Sequence, residues 1–137
     1  MIDINHLNWI AIIVASVFNM ALGFFWYSPA GFGKKWAKLT GIDMMKMSKD
    51  EANKAIMFVG VGAIIQSIVL ALILTIIGTT TIAEAIQTGL ILWIGFIGAV
   101  SLGDILYARR GWGLWWLNSS YFLVIMIVNS ILLTLWR

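Results

Sequence analysis

The sequence predicts an all-α polytopic membrane protein, a single domain with four transmembrane helices. Of its 137 residues, 61% are hydrophobic and only 11% are charged, whereas about 25% are charged in an ordinary soluble domain. A membrane-spanning helix needs about 20 mostly apolar residues, and four such stretches occur, at about 8–27, 55–77, 83–107 and 114–136. This composition excludes a soluble globular domain, and the absence of cysteine excludes a disulfide scaffold and thiolate metal sites.

The ends of these stretches carry helix start and stop signals. Ser28-Pro29 ends the first span, and Gly78 fits the end of the second. Capping boxes, in which a hydroxyl and a carboxylate satisfy each other's backbone N–H groups, are predicted at 48–51 and 81–84. The first box predicts that the second helix begins in water and continues into the membrane.

A short interfacial helix is predicted after the first span, between Pro29 and Gly41. Apolar and basic side chains recur there on opposite faces at helical spacing, as in helices that lie in the headgroup layer. The apolar positions are Phe32, Trp36 and Leu39. The side chains expected to contact anionic headgroups are Lys34, Lys35, Trp36 and Lys38. The alternative is a solvated basic loop.

Basic residues also predict the orientation in the cell membrane. Six lysines lie between the first and second spans, and Arg109 and Arg110 lie between the third and fourth. Only Arg137 is basic on the opposite side. Because basic loops stay on the cytoplasmic side, we expect both of these loops in the cytoplasm and both termini outside.

An internal repeat is visible when the chain is shifted against itself. Leu22–Trp36 aligns with Leu102–Trp116, and the two segments share glycine, tyrosine and tryptophan positions. This alignment predicts two parallel two-helix repeats, related by an axis along the membrane normal. The alternative is that any membrane boundary collects these residue types.

The same region carries a family resemblance. The motif comprises Leu22-Gly23, Trp26-Tyr27-Ser28-Pro29, Phe32-Gly33, Trp36 and Gly41. It resembles the signature of an uncharacterised family of small bacterial membrane proteins, classed as a domain of unknown function. Asn118, Tyr121 and Trp136 are similar to the family's final helix. The resemblance implies four membrane helices and no mechanism; Arg109-Arg110-Gly111 departs from the Arg-Pro expected there.

Polar side chains within the spans are the candidates for a substrate or ion lining. They are Asn19, Gln66, Ser101, Asp104, Asn118 and Asn129. Polar groups in hydrocarbon need partners, so hydrogen bonding between helices is the other interpretation. Asp104 is the ionisable residue deepest in a span, and we expect it to pair with Arg109 or Arg110, or with Asn19 and Asn118; a cation or proton site is the alternative.

Small residues at four-residue spacing predict the helix contact faces. The first span offers Ala11, Ala15, Asn19 and Gly23, and the second offers Ala63, Ser67, Ala71 and Thr75. The third offers Gly95, Ala99 and Gly103. We expect all three faces to meet inside one bundle.

The chemistry-bearing residues are too few to predict an enzyme. One histidine, no cysteine and one intramembrane aspartate provide neither a nucleophile with its base nor a metal or cofactor site. Two hypotheses stay open: a homo-oligomeric channel or transporter for an ion or small solute, and a non-catalytic accessory, assembly or lipid-interacting subunit. The expected partners are further copies of the chain and anionic headgroups on the cytoplasmic side, without nucleic acid.

Overall fold

The computed structural model describes residues 2–137, which form five α-helices. They are α1 (Trp9–Trp26), α2 (Gly33–Thr40), α3 (Lys49–Ile77), α4 (Ile82–Tyr107) and α5 (Gly111–Leu135). Short 3-10 turns occupy Ile4–His6 and Met44–Lys46. Four helices, all but α2, are long and apolar enough to cross a membrane. The predicted all-α, multi-pass membrane fold is therefore confirmed.

Both predicted capping boxes are present. The Ser48 Oγ accepts from the Glu51 N–H, and the Glu51 carboxylate accepts from the Ser48 N–H, each at 3.2 Å. Thr81 and Glu84 form the same reciprocal pair at the start of α4. Gly78 ends α3 with φ +77, a conformation that glycine adopts without a steric penalty. Local sequence therefore decides where α3 ends and α4 begins.

The last helix, α5, is the centre of the bundle. It packs along α4 and also contacts α1 and α3, and α1 packs along α3. The consecutive helices α3 and α4 scarcely touch, so the two hairpins, α1–α3 and α4–α5, are joined chiefly through α5. The small-residue face of α1 is confirmed by the burial of Ala11, Ala15 and Asn19. The face of α3 is confirmed as far as Ala71, because Thr75 is exposed.

The predicted contact face of α4 is wrong. Gly95, Ala99 and Gly103 lie on the exposed side of the bundle. The buried face of α4 instead includes Gly89, where a Cβ would lie only 2.8 Å from the Met126 carbonyl oxygen. A π-turn at Ile94–Gly98 places an extra residue in one turn of the helix and rotates the face that follows it.

The two ends of the bundle differ in their connections. We call the end with the connections 27–48 and 108–110 the basic end, and the end with the turn 78–81 the tight-turn end. The short amphipathic helix predicted between Pro29 and Gly41 is present as α2, and it ends at Gly41 with φ +71. Its Leu39 packs on α5, 3.3 Å from where a Cβ at Gly113 would stand. This contact holds α2 across the basic end.

Candidate functional site

A cavity of about 420 Å³ opens at the basic end, between α1, α2, α3 and α5. We call it the tyrosine cavity, and its lining includes Gly23, Phe24, Tyr27, Trp36, Val59, Asn118 and Tyr121. Its volume lies in the range of small-molecule sites. Phe24 and Val59 are each more than half exposed, so one side of the cavity faces the surroundings of the bundle.

The floor of the tyrosine cavity is a hydrogen-bonded network. The Tyr27 hydroxyl donates to Asn118 Oδ1 at 2.9 Å, and the Tyr121 hydroxyl donates to both the backbone oxygen and Oδ1 of Asn19 at 2.8 Å. Asn19 Nδ2 donates to Gln66 Oε1 at 2.6 Å. These bonds connect α1 with α5 and α1 with α3. Two of the candidate lining residues, Asn19 and Gln66, are thus partners of each other.

One polar group of this floor stays free. Asn118 Nδ2 makes no hydrogen bond within residues 2–137, although the residue is half-buried. The amide orientation follows from its neighbour, because the Tyr27 hydroxyl needs an acceptor and Oδ1 provides it. The two N–H donors of Asn118 are therefore available to a molecule in the tyrosine cavity.

The cavity is covered by the segment that follows α1. The ring of Trp36 stands edge-on to Tyr27, with ring centres 6.1 Å apart, and Met44 and Met47 complete the lining on this side. Trp36 is half-buried, whereas Lys34, Lys35 and Lys38 are exposed. The structure thus places the tryptophan apart from the three lysines with which the sequence grouped it.

A second cavity of about 420 Å³ is lined by a different part of α2. Its lining includes Trp26, Lys35, Trp116 and Ser120. Trp26 Nε1 donates to the Leu117 carbonyl oxygen at 3.1 Å and fixes this wall to α5. We call it the lysine cavity, because Lys35 is the charged residue of its lining.

The remaining candidates lie elsewhere. Gln66, Ser101 and Asp104 line a third cavity of about 230 Å³ between α3 and α4. Asn129 is fully buried; its Nδ2 donates to the Ala15 carbonyl oxygen at 3.3 Å, while its Oδ1 has no partner in the described chain. The six candidates therefore do not form one continuous lining.

The expected pairing of Asp104 is wrong. Its side chain is exposed and makes no hydrogen bond or ion pair with any residue in the range 2–137. Asn19 is bonded to Tyr121 and Gln66, and Asn118 lies beside Tyr27, both on another side of the bundle from Asp104. The carboxylate sits on the outer side of α4, on the part that follows the π-turn.

Sequence reasoning did not identify Tyr27 and Tyr121 as site residues, although both carry the family resemblance. The sequence does place both hydroxyl groups among apolar residues, and a buried phenol usually has a hydrogen-bond partner. This pattern could have indicated that both tyrosines bond to polar residues of other helices. Gly23, Tyr27, Trp36, Asn118 and Tyr121, all quoted for that resemblance, line the tyrosine cavity together.

The comparisons with known proteins give a family and no function. A family model described as a protein of unknown function (DUF1761) matches residues 10–134. No curated protein and no solved structure matches the chain.

Proposed function

We propose a non-catalytic, lipid-interacting role for this chain, which belongs to the DUF1761 family of proteins of unknown function. In this role, the chain binds anionic headgroups at its basic end. The observation that supports this most is the position of α2. Leu39 fixes the helix on α5, and Lys34, Lys35 and Lys38 stay exposed. A helix with fixed apolar contacts and an exposed row of lysines matches the chemistry of an anionic membrane surface.

The lysine cavity favours the same role. Lys35 lies beside Trp26, Trp116 and Ser120, which combine a cation, aromatic rings and a hydroxyl. Aromatic rings of this kind settle at the headgroup level of a bilayer. A lipid phosphate at this depth could bind the Lys35 ammonium group and the Ser120 hydroxyl within one cavity.

The lipid preference is tested with the full-length chain in vesicles. Energy transfer from tryptophan to dansyl-labelled lipids reports which lipids surround the protein. We expect dansyl-phosphatidylglycerol to be enriched over dansyl-phosphatidylcholine, and replacement of Lys34, Lys35 and Lys38 by glutamine to remove most of that enrichment. Each lysine near an anionic surface contributes about 1 kcal/mol, which is roughly fivefold.

The matched control replaces three lysines at the same end of the bundle that lie outside α2: Lys46 in the connection and Lys49 and Lys54 at the start of α3. Both triple variants lose the same charge. Equal loss of enrichment in the two would refute a specific role for α2 and leave only a general attraction of basic loops.

The proposal places the basic end in the cytoplasm and both termini outside. The bias of basic residues between the two sides supports this orientation. Because the natural chain has no cysteine, single cysteines at Lys35, Arg110 and Thr80 can be labelled in intact cells with an impermeant reagent. We expect labelling at Thr80 alone; labelling at Lys35 and Arg110 from outside would reverse the orientation.

A second candidate function is transport between subunits of a homo-oligomer. The cavity lined by Gln66, Ser101 and Asp104 supports it, because this cavity lies at the surface between α3 and α4, where a further copy could complete a polar path. In this hypothesis the charge of Asp104 matters more than its size. Asp104→Asn keeps the shape and hydrogen bonding and removes the charge.

Flux assays in liposomes decide between the two candidates. Transport requires that Asp104→Asn fold and assemble as the unchanged chain does, while ion- or proton-dependent flux is lost. A monomeric chain by light scattering, or unchanged flux in the variant, would rule out transport through this cavity and leave headgroup binding untouched.

A further inference from the structure

We infer that the tyrosine cavity is a binding site for one acyl chain of a membrane lipid, with the ester carbonyl of that chain hydrogen-bonded to Asn118 Nδ2. This site is separate from the proposed binding of anionic headgroups. That binding uses the exposed lysines of α2, whereas the tyrosine cavity is lined by uncharged side chains.

The polar chemistry of the cavity selects a hydrogen-bond acceptor. Tyr27 donates its hydroxyl proton to Asn118 Oδ1, so the amide oxygen is engaged and the amide nitrogen is not. Tyr121 is engaged in the same way with Asn19. Of the polar side chains in this floor, Asn118 thus offers the donors left to a ligand. A carbonyl oxygen is a neutral acceptor and needs no counter-charge there.

The rest of the lining favours a ligand that is mostly apolar. The apolar lining around Tyr27 and Asn118 includes Phe24, Val59 and Phe122, together with the three methionines Met20, Met44 and Met47. Methionine side chains adapt to ligands of irregular shape. Since Phe24 and Val59 are 56% and 57% exposed, the open side of the cavity lies on the membrane-facing surface of α1 and α3. A lipid chain can therefore enter sideways from the bilayer.

The depth of the site points to the ester group of a lipid. Trp36 covers the cavity, and Trp26 and Trp116 lie on the lysine cavity at the same end of the bundle. Tryptophans in such numbers mark the boundary between hydrocarbon and headgroups. The acyl esters of a diacyl lipid lie at this boundary, so a chain that enters the cavity brings its carbonyl to the level of Asn118.

The test compares two zwitterionic lipids that differ only in whether their chains carry ester carbonyls. The full-length chain is purified in detergent, depleted of lipid and titrated with short-chain diacyl or dialkyl phosphatidylcholine, while the midpoint of thermal unfolding is followed. Binding to the folded state raises that midpoint. We expect the ester lipid to bind roughly fivefold more tightly than the ether lipid, the effect of one neutral hydrogen bond. Equal affinities in the unchanged chain overturn the inference without any variant.

Two variants localise the effect. Asn118→Ala should abolish the preference for the ester lipid, and Ser120→Ala, on the same helix but in the lysine cavity, should keep it. If Asn118→Ala does not fold, Tyr27→Phe serves instead, because it removes the phenol that orients the amide and should weaken the preference. A preference that survives these changes places the ester elsewhere.

The two proposals fail separately. Glutamine at Lys34, Lys35 and Lys38 should leave the ester preference intact, since both lipids carry no net charge. Loss of anionic enrichment together with an intact ester preference supports both sites. Anionic enrichment without ester preference refutes the site at Asn118 alone.

Discussion

The two hairpins of this bundle have the same topology and opposite character. In the second hairpin, the connection 108–110 is short, and α4 and α5 pack closely. Trp93 Nε1 donates to the Ser119 carbonyl oxygen at 2.8 Å, and Trp115 Nε1 donates to Ser101 Oγ at 2.9 Å. In the first hairpin, the connection 27–48 is long, and the tyrosine cavity borders both helices at the basic end.

The length of the connection explains why the cavity lies in the first hairpin. A short connection holds two helix ends at packing distance, and polar side chains there bond to the facing helix. A long connection leaves room for α2 to lie across the end, so that Trp36 covers a cavity with an unused donor at Asn118. The second hairpin is thus closed by packing and hydrogen bonds, and the first leaves space for the tyrosine cavity.

The glycines of the two aligned segments also differ between the hairpins. At Gly31 and Gly33, a Cβ would collide with backbone oxygens at the end of α1. The aligned Gly111 has open space and φ +79, and Gly113 faces Leu39. The aligned glycines thus meet different constraints, close backbone oxygens in the first half and a positive φ in the second, although Gly33 and Gly111 each begin a helix. The parallel repeat stays a prediction.

The close packing of the second hairpin should be the most sensitive to substitution. Gly89→Leu would place a side chain against the Met126 backbone oxygen, 2.8 Å from the Cβ position, and must push α4 away from α5. We expect a loss of about 3 kcal/mol in the free energy of unfolding in detergent. Gly95→Leu on the same helix has open space at its Cβ and should change little. Similar losses in both would show that the outer face of α4 is also packed.

A smaller effect is expected in the first hairpin, where an amide pair connects α1 and α3. Gln66→Leu leaves Asn19 Nδ2 without its acceptor, which should lower the free energy of unfolding by about 1 kcal/mol. Gln87→Leu removes an exposed amide with no hydrogen bond in residues 2–137 and is the control. Equal stability of Gln66→Leu and the unchanged chain would mean that the amide pair contributes nothing to holding this hairpin.

The smallest effect tests the strain of the short connection. Arg109 has φ +53, which costs a non-glycine residue about 1 kcal/mol. Arg109→Gly removes that strain and adds freedom to the unfolded chain, so we expect a net gain of about 0.5 kcal/mol. Arg110→Gly loses the same charge at φ −88 and should gain nothing. Thermal midpoints of the two variants, measured side by side, check the sign.

Much of the fold could be predicted from short segments of sequence. The capping boxes Ser48–Glu51 and Thr81–Glu84 and the glycine end at Gly78 depend on neighbours within a few residues, so their patterns are legible in the chain. The candidate site could be predicted only as a set of polar residues. Asn19 and Gln66 proved to be partners, while Asp104 and Asn129 lie apart from the tyrosine cavity.

The number of membrane helices, their ends and the amphipathic α2 are all predictable from the sequence, because hydropathy and capping act over one or two turns. Which helix faces meet depends on tertiary packing. The π-turn at Ile94–Gly98 rotates the part of α4 that follows it, so that the predicted small-residue face points outward. No periodic pattern in the sequence predicts this turn. The bond from Tyr27 to Asn118 joins residues 91 positions apart, so it depends on the register of α1 against α5. That register is set by the packing of the whole bundle, which no local segment encodes.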